Sequence, residues 1–156
     1  MSKRIIKQNL DGKGLGIAVL SARFNAYITR QMSETTINRL ENLGVDKKDI
    51  IVSEVPGAFE LPLMARILVG RSDIHAVICI GAIIRGETDH YDFVASAATN
   101  GIAQVSNDSK KPVIFGVLTT DNTDDAIARI DPVWVRDLFI DRPEPRPIIG
   151  ISKKSA

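Results

Sequence analysis

Short continuous apolar runs in this chain alternate with longer stretches in which apolar residues recur every three or four positions. The runs are Ile17-Ala18-Val19-Leu20, the β-branched stretch Asp49 to Val55, His75 to Ile80, and Pro112 to Leu118. Runs of this length predict buried strands. From Asn25 to Leu43 the positions Ile28, Met32, Ile37, Leu40 and Leu43 follow helical spacing, and Gly44 is a natural C-terminal stop. Ala58 to Val69 predicts a second helix, with Pro62 tolerated in its first turn. Asp89 to Asp108 predicts a third, with Tyr91, Val94, Ala97, Ala98, Ile102 and Val105 along one side. Thr123 or Asp124 caps a short fourth helix containing Ala126, Ile127 and Arg129.

Strands alternating with helices imply parallel βαβ units. Continuous apolar strands imply a sheet covered on both faces. The pattern therefore predicts an α/β fold: a three-layer αβα sandwich of flavodoxin-like type around a four-stranded parallel sheet. In such sheets ligands bind beyond the carboxyl ends of the strands. The loops at those ends are Ser21 to Asn25, Val55 to Glu60, Gly81 to His90 and Leu118 to Asn122. Residues 1–14 are polar with scattered apolar positions, either an arm that joins a neighbour's sheet edge or a frayed terminus. From Asp131 the pattern breaks, with prolines at Pro132, Pro143, Pro145 and Pro147. No long helix runs through Arg142 to Pro147, so the expectation is a helical turn near Val133 to Ile140 and then an extended end.

At 156 residues the chain is expected to form one domain, residues 1–156, and to bury roughly two thirds of its unfolded surface. Lys plus Arg total 20 and Asp plus Glu 19, a net charge of +1 that gives no basis for a nucleic-acid groove or an anionic membrane surface. Aromatic residues make up 5%, too few for serial stacking on bases. No apolar run approaches the roughly 18 residues of a spanning helix, and no secretory h-region follows the N-terminus. The single Cys79 cannot form an internal disulfide, which favours a reducing, cytoplasmic setting.

The chemistry concentrates in Gly81-Ala82-Ile83-Ile84-Arg85-Gly86-Glu87-Thr88-Asp89-His90-Tyr91. Glycines at a strand end let backbone approach a ligand, and the free N–H groups of a helix start favour an anion such as phosphate. His90, in that first turn, is the prime candidate for acid–base work; the plainer reading is a capping or packing histidine. His75 begins a strand and reads as structural. Phe24 stands at the mouth of the first strand, where it could stack on a flat heterocycle or staple the helix start. Val55-Pro56-Gly57-Ala58-Phe59-Glu60-Leu61-Pro62 offers backbone groups and Glu60 to a polyol or heterocycle edge, or is a plain Pro-Gly turn. Arg129 could pair with phosphate, although an arginine near a helix C-terminus is also electrostatically favourable by itself. Gly12, Gly14 and Gly16 precede the first strand, so they are not a dinucleotide fingerprint. The sequence has no Walker phosphate loop, no GxSxG nucleophile and no metal-ligand spacing, and no cofactor is implied.

Ala22-Arg23-Phe24-Asn25, Val55 to Pro62, Gly81 to Asp92 and Pro112 to Thr120, in this order, resemble the lumazine synthase family over roughly residues 5 to 129. That family carries out the penultimate step of riboflavin biosynthesis. It condenses 5-amino-6-ribitylaminouracil with 3,4-dihydroxy-2-butanone 4-phosphate. The resemblance implies that Phe24 stacks on the pyrimidine. It implies that Ala58, Phe59 and Glu60, with Ala82, Ile83 and Ile84 beside them, hold that substrate and its ribityl chain. Glu87 and Thr88 would contact the phosphate-bearing substrate, His90 would transfer protons, and Arg129 matches the family's phosphate-binding arginine. Phe115 would complete the pocket from an adjacent subunit. The implied partners are the small-molecule substrates, further copies of the chain in a pentamer, decamer or 60-subunit shell, and riboflavin synthase. One departure stands out. After Arg129 the family's glycine- and lysine-rich turn and final amphipathic helix have no counterpart, and no lysine lies between Arg129 and Lys153. A binding or shell-forming homologue with weak catalysis is the alternative. An electron-transfer flavodoxin shares the fold class but leaves the His90 motif unexplained.

Overall fold

The computed structural model describes residues 9–130. Four strands, β1 (Ile17–Ala22), β2 (Ile50–Val55), β3 (Ala76–Ile84) and β4 (Val113–Thr120), alternate with four helices, α1 (Ala26–Asn42), α2 (Leu61–Val69), α3 (His90–Ser109) and α4 (Thr123–Arg129). All strand pairs are parallel, in the order β2-β1-β3-β4. This is the α/β flavodoxin-like arrangement that the alternation of runs and helices predicts.

Side chains leave a strand to opposite faces in turn, so a strand buried on both faces supplies two cores. Ala18, Leu20, Val77, Cys79, Val113 and Val117 pack with Leu61, Ala65 and Leu68 of α2 and Ala98, Ile102 and Val105 of α3. Ile17, Val19, Ile78, Ile80 and Ala82 pack on the other face with Ile28 and Met32 of α1 and Ala126 of α4. Leu20 and Ile80, fully buried, each contribute about 1.5–3 kcal/mol through burial. Cys79 is enclosed in the first of these cores, and burial pushes its thiol pKa up to about 12.

The end of the sheet opposite the strand C-termini is held by polar contacts. Lys111 donates through Nζ to the carbonyls of Val69, Arg71 and Ile74 at 2.8–3.0 Å, closing the connection from α2 to β3. His75 is structural here: its Nδ1 accepts the Gly16 N–H at 2.9 Å, and its own N–H donates to the Gly16 carbonyl. The Gly12 N–H donates to the carbonyl of Leu43 at 2.7 Å, so the visible part of the N-terminal segment lies on its own α1 end. The remainder of the expected arm, residues 1–8, and the tail from Asp131 with its expected turn near Val133 to Ile140, lie outside the described residues.

Several boundaries differ from the sequence reading: β1 and β4 each run two residues further, and Ala58–Glu60 form a 3₁₀ turn, so α2 starts at Leu61 rather than Ala58. β3 does not end at Ile80 but runs to Ile84, because its last residues stay in register with β4 from Gly81 opposite Val117 to Ile84 opposite Thr120. Gly81 is therefore not a loop glycine open to a ligand. A Cβ there would stand 3.2 Å from Val117 Cγ1 and 3.4 Å from Leu61 Cδ1, so its small size serves the packing of α2 on the sheet. The cap of α4 is Asn122, not Thr123 or Asp124. Asn122 is extended, and its Oδ1 accepts the Asp125 N–H at 2.8 Å.

Helices α2 and α3 meet where Gly101 faces Pro62. A Cβ on Gly101 would come within 2.6 and 2.7 Å of the rigid proline ring. Gly101→Ala should therefore destabilise the fold by about 1–3 kcal/mol despite the better helix propensity of alanine. Gly86→Ala, where a Cβ meets nothing within 4 Å, should leave stability nearly unchanged. Urea unfolding of both variants checks the pair.

Candidate active site

All four strands deliver their carboxyl ends to one side of the sheet. The connection after β1 leads to β2 on one side and that after β3 to β4 on the other, so a crevice opens between the ends of β1 and β3. There the structure has a cleft of about 680 Å³.

Three strand ends build its walls. After β1 the ladder extends past the last strand residue: the Arg23 N–H donates to Val55 O at 2.8 Å and the Phe24 N–H to Pro56 O at 3.0 Å. Asn25 then turns in the left-handed region at φ 60°. Its Nδ2 donates to the Ala82 carbonyl at 2.8 Å, which ties the Phe24 turn to the end of β3. Phe24 is left 71% exposed at the cleft mouth, and Phe59 opposite is 60% exposed. Large apolar rings open to water beside a cleft suit a flat ligand.

After β2, Pro56 to Glu60 form the second wall, with Ala58–Glu60 as a single 3₁₀ turn. Glu60 Oε2 accepts the Gly57 N–H at 2.9 Å, so the carboxylate both shapes the loop and lines the cleft. The third wall is Ala82, Ile83 and Ile84 of β3, then Gly86, Thr88 and His90. His90 is the first residue of α3 and is exposed. The helix N-terminus at this wall favours a bound anion. Asp89, the N-cap, makes no side-chain capping bond, and the nearest substitute is a long 3.4 Å bond from the His90 N–H to Thr88 Oγ1.

Beside this wall lies an ion cluster. The Arg85 guanidinium bonds both Asp92 oxygens at 3.3 Å and Asp121 Oδ1 at 3.2 Å. It lies 4.0 Å from the centroid of the Tyr91 ring. The hydrogen bonds to Asp92, and then that to Asp121, raise the arginine's pKa above its ordinary value. Among the described residues no cluster of His, Cys, Asp and Glu could hold a metal ion. No helix there is long and apolar enough to cross a membrane.

Of the residues singled out in the sequence, Phe24, Ala58, Phe59, Glu60, Ala82, Ile83, Ile84, Thr88 and His90 share this cleft. Glu87, Phe115 and Arg129 do not line it. Phe115 sits in the edge strand β4, opposite Cys79, and is 38% exposed. Arg129, at the end of α4, donates to the Asp125 carbonyl at 2.7 Å. Tyr91 and Val94 line the cleft as well as packing against the core, a role their helical spacing did not reveal. The signal was their position one and four residues after His90, on the turn that carries it.

A family model described as 6,7-dimethyl-8-ribityllumazine synthase matches residues 14–134.

The Asn25 tether has a measurable worth. Asn25→Ala removes the bond to Ala82 and places a Cβ residue without a helpful side chain at positive φ. The two effects together should cost about 1–3 kcal/mol. Chemical denaturation measures the loss, and hydrogen exchange should show lower protection at the Phe24 amide. Unchanged values would mean that the ladder bonds of Arg23 and Phe24 suffice to hold this turn.

Proposed function

The chain belongs to the 6,7-dimethyl-8-ribityllumazine synthase family, and on that premise we propose that it condenses 5-amino-6-ribitylaminouracil with 3,4-dihydroxy-2-butanone 4-phosphate. The observation that carries this reading is the convergence in one cleft of exposed aromatic rings, a carboxylate, and a histidine at a helix N-terminus.

In this reading Phe24 stacks on the pyrimidine. Ala58, Phe59, Glu60, Ala82, Ile83 and Ile84 hold the ring and its ribityl chain. Thr88 in the cleft, with the start of α3, receives the phosphate-bearing substrate, and Glu87 beside it, outside the lining, would contact that substrate from the loop. The amine of the uracil attacks the ketone, and loss of water gives a Schiff base. Inorganic phosphate then leaves, and ring closure expels a second water. Each step moves a proton and none is a redox exchange with a cofactor. A positioned imidazole at His90 serves as the proton carrier, and the cleft supplies orientation.

Phe115 and Arg129 stand outside the cleft of their own chain, which favours a site completed by a neighbour. We place Phe115 of one copy over the cleft of the next and Arg129 at the phosphate. A head-to-tail contact of this kind closes into a ring when repeated. The proposed assembly is a pentamer, alone, paired as a decamer, or built into a 60-subunit shell. Exposed apolar residues on the helices, Leu63 and Ile67 on α2 and Phe93 on α3, are suited to burial in such contacts. Residues 1–156 act as one domain in this reading, in the cytoplasm, with riboflavin synthase as the enzyme that takes the product.

The assay is direct: the two substrates are mixed and the absorbance and fluorescence of the lumazine followed. Folded protein that gives no rate above the uncatalysed condensation would sink the proposal. His90→Ala should lower kcat by about 10²–10⁴-fold. The missing lysine after Arg129 favours one competing reading, a homologue that binds a lumazine or flavin with weak catalysis. Calorimetry with each ligand separates the two, since normal turnover excludes the second. Light scattering tests the shared site. A monomer near 17.0 kDa that still catalyses the condensation would refute it.

A further inference from the structure

We propose that Arg85 is the positioning residue for His90, acting through the two residues that follow the histidine. The inference deepens the reading of the site given above and rests on it.

The need for such a residue follows from the start of α3. A first helical turn is anchored by its cap, and here Asp89 provides no side-chain bond. The 3.4 Å contact from Thr88 is at the weak end of the hydrogen-bond range. By themselves these would let His90 fray with the turn, and a proton carrier must stay in register with its substrate.

Arg85 restrains this turn from outside the helix; a guanidinium only donates, so it acts on the turn's side chains rather than capping its N–H groups. Its guanidinium donates to both Asp92 oxygens, two paired bonds of 3.3 Å each that are individually long, and lies 4.0 Å from the centroid of the Tyr91 ring. Tyr91 and Asp92 directly follow His90, so one side chain restrains two successive residues of its turn. Arg85 is itself fixed to the sheet. Its N–H donates to the Thr120 carbonyl at 2.9 Å, at the end of β4, and its Nε donates to Asp121. The chain of restraint runs from the β3–β4 ladder through Arg85 to Tyr91 and Asp92, and so to His90. Tyr91 also lines the cleft, so the same contact sets the wall beside the imidazole. A planar fork that bonds two carboxylates and covers a ring is a task lysine cannot reproduce.

Each exposed ion pair adds little to global stability. Arg85→Ala should therefore keep the fold and its melting temperature while losing activity. The expected loss is roughly 10–100-fold in kcat, the scale of a slightly misplaced catalytic group, with KM changed no more than about twofold. Arg85→Lys should fall between the variant and the parent. In ligand-free protein, the imidazole NMR resonances of His90 should broaden or shift in Arg85→Ala, and less in Asp92→Asn. If the parent proves inactive, the functional reading fails, yet the NMR comparison still decides whether Arg85 restrains His90. If Arg85→Ala does not fold, Asp92→Asn breaks the fork with Arg85 in place and should give the same changes at smaller size. An unaltered His90 signal and unaltered kcat would overturn the proposal. A rise in KM for the phosphate substrate with kcat intact would overturn it too, because Arg85 would then be a substrate ligand.

Discussion

The pairing of β3 with β4 continues to the last residue of both strands, and the architecture of the cleft depends on it. Ile84 opposite Thr120 is the final pair. Had β3 ended where its apolar run first meets glycine, Ala82 to Ile84 would be loop, free to take many conformations at a cost of about 1–2 kcal/mol per residue to order. As strand they form a fixed wall. They also give Asn25 a fixed carbonyl to bond and leave Arg85 beside the end of β4. Only five residues, 85–89, then separate the sheet from the first residue of α3. The cleft wall that carries His90 is therefore built on short connections from a rigid ladder rather than on a long loop.

Much of this was legible in the sequence. The apolar runs of β1 and β3 mark central strands, covered on both faces with few polar positions to spare, while the edge strands β2 and β4 keep exposed positions such as Val52, Glu54, Ile114 and Phe115. Helical spacing in α1 and α3 marks the faces that meet the sheet, and Gly44 marks the end of the first helix. The cleft residues from Phe24 to His90 fall at strand ends, where ligands bind in parallel sheets, and so could be grouped before any coordinates. The resemblance then gave them proposed roles that composition and spacing do not carry.

What was not legible is what tertiary pairing decides. Gly81 looks like a breaker until β4 is laid beside it, when it becomes the small residue that admits Val117 and Leu61. Asn25 reads as the first residue of the helical stretch, yet its side chain crosses to another strand and its backbone is left-handed. Thr29, Ser33 and Thr36 make much of the buried side of α1, which an apolar-only pattern underrates. Thr36 is tolerated there because its hydroxyl donates back to the Met32 carbonyl. Phe115 and Arg129 are a different case: within their own chain Phe115 lies in the edge strand and Arg129 bonds the Asp125 carbonyl, both outside the cleft.

The enclosure of Cys79 has a consequence for how the molecule ages. It is the only cysteine in the sequence. Burial pushes its pKa up to about 12, which disfavours the thiolate at neutral pH, and the folded sheet gives an electrophile no path to it. Sulfenylation, mixed disulfides and covalent crosslinks between copies all begin at a reachable thiolate. The native chain offers none, so Cys79 stays silent through changes of redox poise, and a reaction at its thiol would be a report of unfolding.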